Sequence, residues 1–285
     1  MGLSMSYFLK LAVCLAAIFP LISSAATAKT SFSHVMIVVL ENTDYANAMN
    51  QSFLSELSKK GASLDNMTAL THPSQGNYIS MIAGDTFGIT NDKNIDLDAK
   101  HIGDLLEAKG LTWKAYVEGF PGNCFLSERS GKYARKHVPF LSFKNVSTNP
   151  ARCKNIVDAK ELDVDIQSNH LPNYAIYIPD LSNDGHDTGV SFADGYMSKK
   201  FGPLLTNPKF MNQMLFVVTF DESGSKNNNN QIYTSLFGDA VVAGGKSSTA
   251  YTHYSILKTI ENAWGLGSLS KRDASTSAIV DVLKQ

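Results

Sequence analysis

The sequence predicts an α/β fold, a three-layer α/β/α sandwich around a mostly parallel central sheet. Five short runs are continuously apolar, which is typical of strands that are buried on both faces. Three further segments repeat apolar residues at three- and four-residue spacing, which is the pattern of an amphipathic helix. Because strands that alternate with helices are joined by crossovers, we expect most of the strands to be parallel.

The predicted strands and helices alternate along the chain. The strands are His34–Leu40, 112–117, Tyr174–Ile178, Met214–Phe220 and 240–242. The helices are 53–60, 102–109 and 254–264, with Gly61 and Gly110 after the first two as helix ends. Segment 118–165 is more polar and irregular, so we interpret it as an insertion or lid on a single catalytic domain, 29–285.

The first 28 residues have the pattern of a cleaved signal peptide. Lys10 precedes an apolar run over 11–22, and small residues follow over 23–28. We expect cleavage after Ala25 or Ala28. A membrane anchor is the alternative, but the apolar run is short for a span. The mature protein is therefore expected to be secreted or periplasmic, with no stable membrane span after cleavage.

Export changes the interpretation of the cysteines. Cys14 is removed with the signal, which leaves Cys124 and Cys153. Two cysteines in an oxidising compartment favour a disulfide. A catalytic cysteine is the alternative, but neither residue lies in a nucleophile-like setting.

The charge composition excludes one class of partner. The 285 residues have a formal net charge of −1, and no run of like charges stands out. A protein that binds nucleic acid through its phosphates needs a basic field. We therefore expect no nucleic-acid partner.

Three of the predicted strands run into polar residues. Glu41 and Asn42 follow the first strand, Asp221 and Glu222 follow the fourth, and 183–187 lies shortly after the third. Parallel strands bring these residues to one edge of the sheet. Several carboxylates at one edge repel each other unless a cation neutralises them. We therefore predict one divalent metal ion, the alternative being that each acidic pair caps a helix or faces water.

Ser74 lies at the expected start of a helix, in the segment THPSQGNY at 71–78. One interpretation is that its side chain only caps that helix. The functional interpretation uses the same geometry, because a helix N-terminus presents free N–H groups to an anion such as phosphate. A serine hydroxyl beside a metal ion can lose its proton and attack phosphorus.

Five motifs, in order, resemble the bacterial and fungal phosphoesterase family of secreted acid phosphatases and phospholipases C. They are ENTDY at 41–45, HPSQGNYISMIAG at 72–84, NDGHD at 183–187, VVTFDES at 217–223 and YTHYSILKTIENAWGLG at 251–267. The resemblance covers nearly the whole chain after the signal. It implies an alkaline phosphatase-like sandwich that hydrolyses phosphate esters through a phosphoserine intermediate.

The resemblance also implies roles for individual residues. The implied metal ligands are Glu41, Asn42, Ser74, Asp221 and Glu222. The implied catalytic residues are Ser74, Asn77, His186 and His253, and the residues that support them or line the pocket are His72, Asp184 and Asp187. Two-metal members of the superfamily carry an Asp-His pair where this chain has Asp221-Glu222, so we expect a single metal ion.

We expect an acid phosphatase-type monoesterase, because no amphipathic stretch with a basic face follows the closing motif. The alternatives are a phospholipase C-type phosphodiesterase and a non-catalytic, metal-stabilised binding protein on the same fold. The expected partners are small phosphorylated substrates or lipid head groups. Basic and aromatic residues of segment 118–165 could grip an anionic head group such as that of a phosphoinositide monophosphate. They are Lys132, Arg135, Lys136, Lys144, Phe140 and Phe143.

The remaining histidines are His34, His101, His137 and His170. A lone histidine is usually a surface residue or a satisfied buried one. We therefore expect no functional role for these four.

Overall fold

The computed structural model describes residues 1–3, 32–226 and 229–284. Apart from residues 1–3, the predicted signal peptide lies outside these ranges. Within them, no helix combines the length and the hydropathy that a membrane span requires.

Twelve strands form within the described residues. They are β1 (His34–Leu40), β2 (Ala62–Leu64), β3 (Met67–Thr68), β4 (Trp113–Val117), β5 (Arg129–Ser130), β6 (Tyr133–Ala134), β7 (Ile156–Asp158), β8 (Tyr174–Ile178), β9 (Met214–Phe220), β10 (Thr234–Phe237), β11 (Gly245–Ser247) and β12 (Tyr251–Thr252).

The same residues form eleven α-helices and three short 3₁₀ turns. The helices are α1 (Tyr45–Met49), α2 (Ser52–Lys60), α3 (Gln75–Ala83), α4 (Ile102–Ala108), α5 (Lys144–Ser147), α6 (Pro150–Cys153), α7 (Glu161–Ser168), α8 (Val190–Phe201), α9 (Pro208–Met211), α10 (His253–Trp264) and α11 (Lys271–Ser275). The 3₁₀ turns are Arg135–His137, Pro139–Ser142 and Leu204–Thr206.

Eight strands build the central sheet in the order β11-β2-β10-β9-β1-β8-β4-β7. Strand β10 is antiparallel to both of its neighbours, whereas the other pairs of this sheet are parallel. The register places His34 opposite Met214 and Leu40 opposite Phe220, so β1 and β9 end together. Strand β8 pairs with the other side of β1. The sheet therefore brings the ends of β9, β1 and β8 to one edge.

Helices cover both faces of this sheet. Every residue of β9 is buried, and so is every residue of β1 after the first. Because successive side chains of a strand point to opposite faces, such burial requires a layer on each side. Helix α2 packs on β2, β10 and α8, while α3 packs on α10 in a separate group. The predicted α/β/α sandwich is confirmed.

Most predicted elements form, with small shifts at their ends. Strands β1, β8 and β9 have the predicted bounds, and β4 begins one residue later than predicted. The three predicted helices correspond to α2, α4 and α10. The strand predicted at 240–242 is wrong, because Val241 forms only an isolated bridge with Leu283. The pattern missed β2, β10 and β11, which are too short to form a long apolar run and include polar residues.

Segment 118–165 pairs with the central sheet and is closed by a disulfide between two of its own residues. Its strand β7 pairs with β4 at the edge of the central sheet. Cys124 and Cys153 form a disulfide, with their Cα atoms 5.4 Å apart. The predicted pairing of these cysteines is confirmed.

Candidate active site

Three buried carboxylates meet where neighbouring strands end. Glu41 follows β1, Asp221 follows β9, and Asp184 lies on the loop after β8. The main chain joins these positions, because Asp221 N donates to the carbonyl of Leu40 and Glu41 N donates to the carbonyl of Asp184, both at 2.9 Å. The parallel sheet thus brings together residues that are far apart in the sequence.

Glu41 lies at the centre of this group. Its Oε2 accepts a hydrogen bond from Ser74 Oγ at 3.2 Å. Its Oε1 accepts one from the Tyr78 hydroxyl at 2.6 Å and lies 3.2 Å from His137 Nε2. Burial raises the pKa of Glu41 well above its usual value, and two neighbouring carboxylates raise it further.

Asn42 and Asp221 face each other beside Glu41. The main-chain nitrogen of Asn42 donates to Asp221 Oδ1 at 3.1 Å. One terminal atom of the Asn42 amide lies 3.2 Å from both Asp221 Oδ1 and Glu41 Oε2. As a nitrogen it would donate to both oxygens. As an oxygen it would converge with them in the way that ligands of a hard cation do. Burial raises the pKa of Asp221 to about 7.

Glu222 lies next to Asp221 and faces His72. Glu222 Oε2 lies 2.9 Å from His72 Nδ1, and the Glu222 carbonyl accepts from Thr43 N at 3.2 Å. Burial and the charge of Asp221 raise the pKa of Glu222 to about 8. Burial lowers the pKa of His72. This carboxylate is therefore at the rim of the group, with one oxygen against a histidine.

Ser74 immediately precedes helix α3 and is buried. Its backbone is helical, with φ −45° and ψ −49°, and its hydroxyl makes no capping bond to the helix. Asp92 Oδ1 instead accepts from Gln75 N, at 3.1 Å. The interpretation of the Ser74 side chain as a helix cap is therefore wrong, because another residue caps the helix and the hydroxyl faces Glu41.

Asn77 holds the loop that precedes Ser74. Its Oδ1 accepts from Leu70 N and Thr71 N at 3.0 and 3.1 Å, and its Nδ2 donates to the Thr71 carbonyl at 2.8 Å. Asn77 is fully buried. Its contacts fix the position of Ser74, and one Nδ2–H remains for a ligand.

His186 and Asp187 lie on the same loop as Asp184. The main-chain nitrogen of His186 donates to Asp184 Oδ1 at 2.7 Å, and its ring Nδ1 lies 2.9 Å from Asp187 Oδ1. Asp187 also pairs with Lys132, at 2.7 Å. The His186 side chain is 30% exposed, so its Nε2 is accessible to a substrate. Asp187 thus orients the ring of His186.

His137 lies within this group, a position that the sequence did not predict. It lies in the 3₁₀ turn Arg135–His137, is 1% exposed, and stacks on Tyr78 with ring centroids 4.8 Å apart. Its Nδ1 lies 3.6 Å from Asp184 Oδ2, opposite the nitrogen that faces Glu41. The sequence around it carries no motif, so only the fold of segment 118–165 reveals its position.

His253 begins helix α10 and is fully buried. Its Nε2 lies 2.8 Å from the main-chain carbonyl oxygen of Asp221. Its Nδ1 has no hydrogen-bond partner in the described part of the chain. Burial lowers the pKa of His253 to about 4, so the ring is neutral above that pH. In this geometry His253 supports the main chain that carries Asp221.

Three of the six basic and aromatic residues predicted to grip a head group are not available for that contact. Phe140 and Phe143 are fully buried in the core. Arg135 is also buried, and its guanidinium donates to the carbonyls of Leu126 and Leu141 at 3.1 Å. These three residues stabilise the fold of the segment, because their side chains are used within it.

The carboxylate group fits a divalent cation. Glu41, His137 and Asp184 offer ligand atoms that lie within 4.8 Å of one another. Asp184 Oδ2 and Asp221 Oδ2 are buried and have no hydrogen-bond partner among the described residues. Buried carboxylates this close are unfavourable unless a cation or a proton neutralises them. Carboxylate oxygens with an imidazole suit a hard or borderline divalent ion.

Comparison with known proteins identifies the family. The sequence pattern of the Phosphoesterase family matches residues 47–267. An acid phosphatase of Aspergillus fumigatus is 34% identical over 261 residues, which are 87% of this chain and 58% of its own. A probable acid phosphatase of Kluyveromyces lactis is 36% identical over 261 residues, with 87% and 62% covered. This chain therefore spans less than two thirds of the length of these fungal relatives.

A bacterial relative is matched over more of its length. A phosphatidylinositol-3-phosphatase of Mycobacterium tuberculosis is 34% identical over 252 residues, which are 87% of this chain and 82% of its own.

Solved structures confirm the fold. An alkaline phosphatase superfamily protein of Vibrio parahaemolyticus has a TM-score of 0.62 at 12% identity, covering 87% of this chain and 70% of its own. Murine ectonucleotide pyrophosphatase/phosphodiesterase 5 has a TM-score of 0.57 at 8% identity, covering 88% and 100%. Identities this low establish the architecture alone. Because the family pattern matches residues 47–267, which are most of this sandwich, the chain belongs to the phosphoesterase family.

Proposed function

We propose that this protein is a metal-dependent phosphate monoesterase that uses Ser74 as its nucleophile. The observation that carries the proposal is the hydrogen bond of Ser74 Oγ to Glu41 Oε2, at 3.2 Å, within a group of buried carboxylates. The nucleophile also begins a helix, whose N-terminus favours anions. Support comes from relatives that are named acid phosphatase and phosphatidylinositol-3-phosphatase.

One divalent ion would be held by the oxygens of Glu41, Asn42 and Asp221, the ligands that the motifs imply, with Ser74 and Glu222 at its border. We prefer this set to Glu41, His137 and Asp184, although those three also offer converging ligand atoms. When bound, the ion would favour the alkoxide of the nucleophile and offset the charge of the phosphate. We favour one ion because only one oxygen of Glu41 is left to bind it. Glu41 Oε1 already contacts the Tyr78 hydroxyl and His137 Nε2. Its Oε2, on the nucleophile's side, is the oxygen left for a cation.

The reaction begins when Ser74 Oγ, whose hydroxyl is hydrogen-bonded to Glu41 Oε2, gives its proton to solvent water and attacks phosphorus. The bond between phosphorus and the alcohol oxygen breaks, and His186 gives that oxygen a proton. Asp187 holds His186 by Nδ1, which leaves Nε2 for this transfer. Water then attacks the phosphoserine and gives a proton to His186, which restores its donor. The bond between phosphorus and Oγ breaks, Ser74 Oγ takes a proton from solvent water, and inorganic phosphate is released.

A substrate panel tests this function. The purified protein is assayed on an aryl phosphate, an aryl phosphodiester, an inositol phospholipid monophosphate and phosphatidylcholine, with and without chelator. We expect turnover of monoesters that chelation abolishes and a divalent ion restores. Preference for phosphatidylcholine would indicate the phospholipase C alternative. Metal binding without turnover of any substrate would indicate the non-catalytic alternative.

We also propose that the protein is exported after cleavage of residues 1–28. The disulfide between Cys124 and Cys153 supports an oxidising compartment. N-terminal sequencing of protein recovered outside the cytoplasm should start within a few residues of Ala25 or Ala28. An intact Met1 on that protein would contradict the proposal.

A further inference from the structure

Lys136 is a cation that the proposed chemistry leaves unused, next to the buried carboxylates. It immediately precedes His137, whose ring contacts Glu41. Its Nζ donates to Asp92 Oδ2 at 2.8 Å, and its side chain is only 18% exposed. Burial alone would lower the pKa of Lys136, but the bond to Asp92 and the nearby carboxylates raise it above its usual value. The ammonium group is therefore charged.

Asp92 connects this lysine to the nucleophile. The second oxygen of Asp92 accepts from Gln75 N at 3.1 Å, and Gln75 is the residue after Ser74. One carboxylate group and two hydrogen bonds thus separate Lys136 Nζ from the start of helix α3. The lysine's charge also acts on Asp221, whose pKa it lowers against the larger effect of burial. Lys136 is therefore anchored one carboxylate group away from the residue that follows Ser74.

The other two basic side chains of this turn region have different positions. Lys132 is 53% exposed and pairs with Asp187. Arg135 donates to Asp96 and to main-chain carbonyls of its own segment. Neither is linked to helix α3 by the hydrogen bonds of the described residues. Lys136 is thus the basic residue of 132–136 that is anchored at the nucleophile.

The charge of the substrate suggests what a cation at the position of Lys136 could do. A phosphate monoester carries about −1.5 to −2 charges at pH 7, whereas a diester carries about −1. A site rich in carboxylates with one divalent ion has little positive charge to offset the second negative charge of a monoester. A fixed ammonium group beside the nucleophile supplies it, and a charge-assisted hydrogen bond is stronger than a neutral one.

We propose that Lys136 binds a non-bridging oxygen of the substrate phosphate and makes the site selective for monoesters over diesters. Asp92 is the positioning residue that holds Lys136 at the start of helix α3. This inference rests on the proposed phosphatase function and identifies the residue that determines its substrate class.

The test compares Lys136→Met, Lys136→Arg and Asp92→Asn with Lys154→Met, an exposed lysine of the same segment. We expect Lys136→Met to lower kcat/KM for an aryl monoester about tenfold or more, the size expected for one lost charge-assisted hydrogen bond. The kcat/KM for the matching diester should change much less, so the ratio of kcat/KM for the monoester to that for the diester should fall strongly. Lys136→Arg should retain most of the ratio, and Lys154→Met should leave both values unchanged.

A purely structural role predicts a different outcome. If Lys136 only holds Asp92 against Gln75, then Lys136→Met and Asp92→Asn should lower kcat/KM for the monoester and for the diester by the same factor. That result would overturn the inference. Unchanged kinetics in Lys136→Met would also overturn it. If Lys136→Met does not fold, Lys136→Gln takes its place.

A binding measurement separates this inference from the proposed nucleophile. Calorimetry of inorganic phosphate with Ser74→Ala, and with the same variant carrying Lys136→Met, needs no turnover. We expect the added substitution to weaken phosphate binding about tenfold. Activity in Ser74→Ala alone would overturn the proposed function, whereas equal phosphate affinities would overturn the role of Lys136.

Discussion

His137 Nε2 lies 3.2 Å from Glu41 Oε1, and the other ring nitrogen of His137 lies 3.6 Å from Asp184 Oδ2. One buried imidazole therefore stands between two carboxylates that follow different strands. This contact joins segment 118–165 to the edge of the sheet that carries the nucleophile. It also places a residue outside every recognised motif within the candidate active site.

Replacement of His137 tests whether the site depends on that residue. We expect His137→Asn to lower metal affinity and kcat at least tenfold, because Glu41 and Asp184 lose the group that separates and orients them. Metal content by elemental analysis and steady-state kinetics give the two values. The exposed His170→Asn is the control and should change neither. Full metal content and full activity in His137→Asn would show that the contact is only structural.

Replacement of the nucleophile should leave the fold intact. Ser74→Ala removes one hydroxyl and its bond to Glu41, so the melting temperature should stay within a few degrees of the wild type. Turnover should fall about a thousandfold or more. Labelled substrate quenched in acid should leave phosphate on Ser74 of the wild type only. Ser80→Ala, on the same helix, is the control, and wild-type turnover in Ser74→Ala would refute the mechanism.

Asp221 is the proposed metal ligand whose replacement is most informative. Asp221→Asn keeps the shape of the side chain but removes its charge, and Asp221 Oδ2 has no hydrogen-bond partner in the described ranges. We therefore expect metal content and activity to fall together. The exposed Asp239→Asn serves as the control. Retention of a full equivalent of metal by Asp221→Asn would show that the ion binds elsewhere.

The stability of the metal-free protein should fall as pH rises from about 6.5 to 8. Burial raises the pKa of Asp184 to about 8, of Asp221 to about 7 and of Glu222 to about 8, against about 4 in an unfolded chain. In this window the folded state binds more protons than the unfolded state, so deprotonation favours unfolding. A divalent ion needs the same carboxylates ionised, so metal should stabilise the protein more at pH 8 than at pH 6.5.

Calorimetric melting with and without chelator measures this trend. Burial lowers the pKa of His101 and of His253 to about 4, from 6.5 in the unfolded chain. Between these two pKa values, the two histidines make the protein more stable as pH rises. The window therefore begins at pH 6.5, above which this opposing effect is absent. Glu261 has a pKa of about 8 outside the carboxylate group, so Glu261→Gln removes its share. A chelated protein that gains stability between pH 6.5 and 8 would contradict the prediction.

The disulfide should stabilise the fold without taking part in catalysis. It closes a loop with a sequence separation of 29, for which removal is expected to lower the free energy of unfolding by about 3 kcal/mol. Cys124→Ser with Cys153→Ser should therefore melt at lower temperature while retaining activity at 25 °C. Thiol titration of the denatured, unreduced mature protein should find no free thiol, and two free thiols would disprove the bond.

The sequence by itself determined the sandwich and most of the residues at its edge. Strands β1, β8 and β9 are long enough to appear as apolar runs, because burial on both faces leaves few polar positions in them. Glu41, Asp221 and Asp184 follow those strands, and parallel pairing is enough to predict that they meet. The disulfide was predicted from the two cysteines that remain if residues 1–28 are a cleaved signal.

Only the tertiary structure decided how those residues contact one another. The role of His137 depends on the path of segment 118–165, which lacks periodic patterning and so could not be predicted locally. The same path buries Phe140 and Phe143, which removes them from the predicted head-group grip, and anchors Lys136 at Asp92. Strands β2, β10 and β11 escaped prediction because short strands form by pairing with neighbours that are distant in sequence. Contacts of this kind are set by the whole fold, and the local pattern of residues does not encode them.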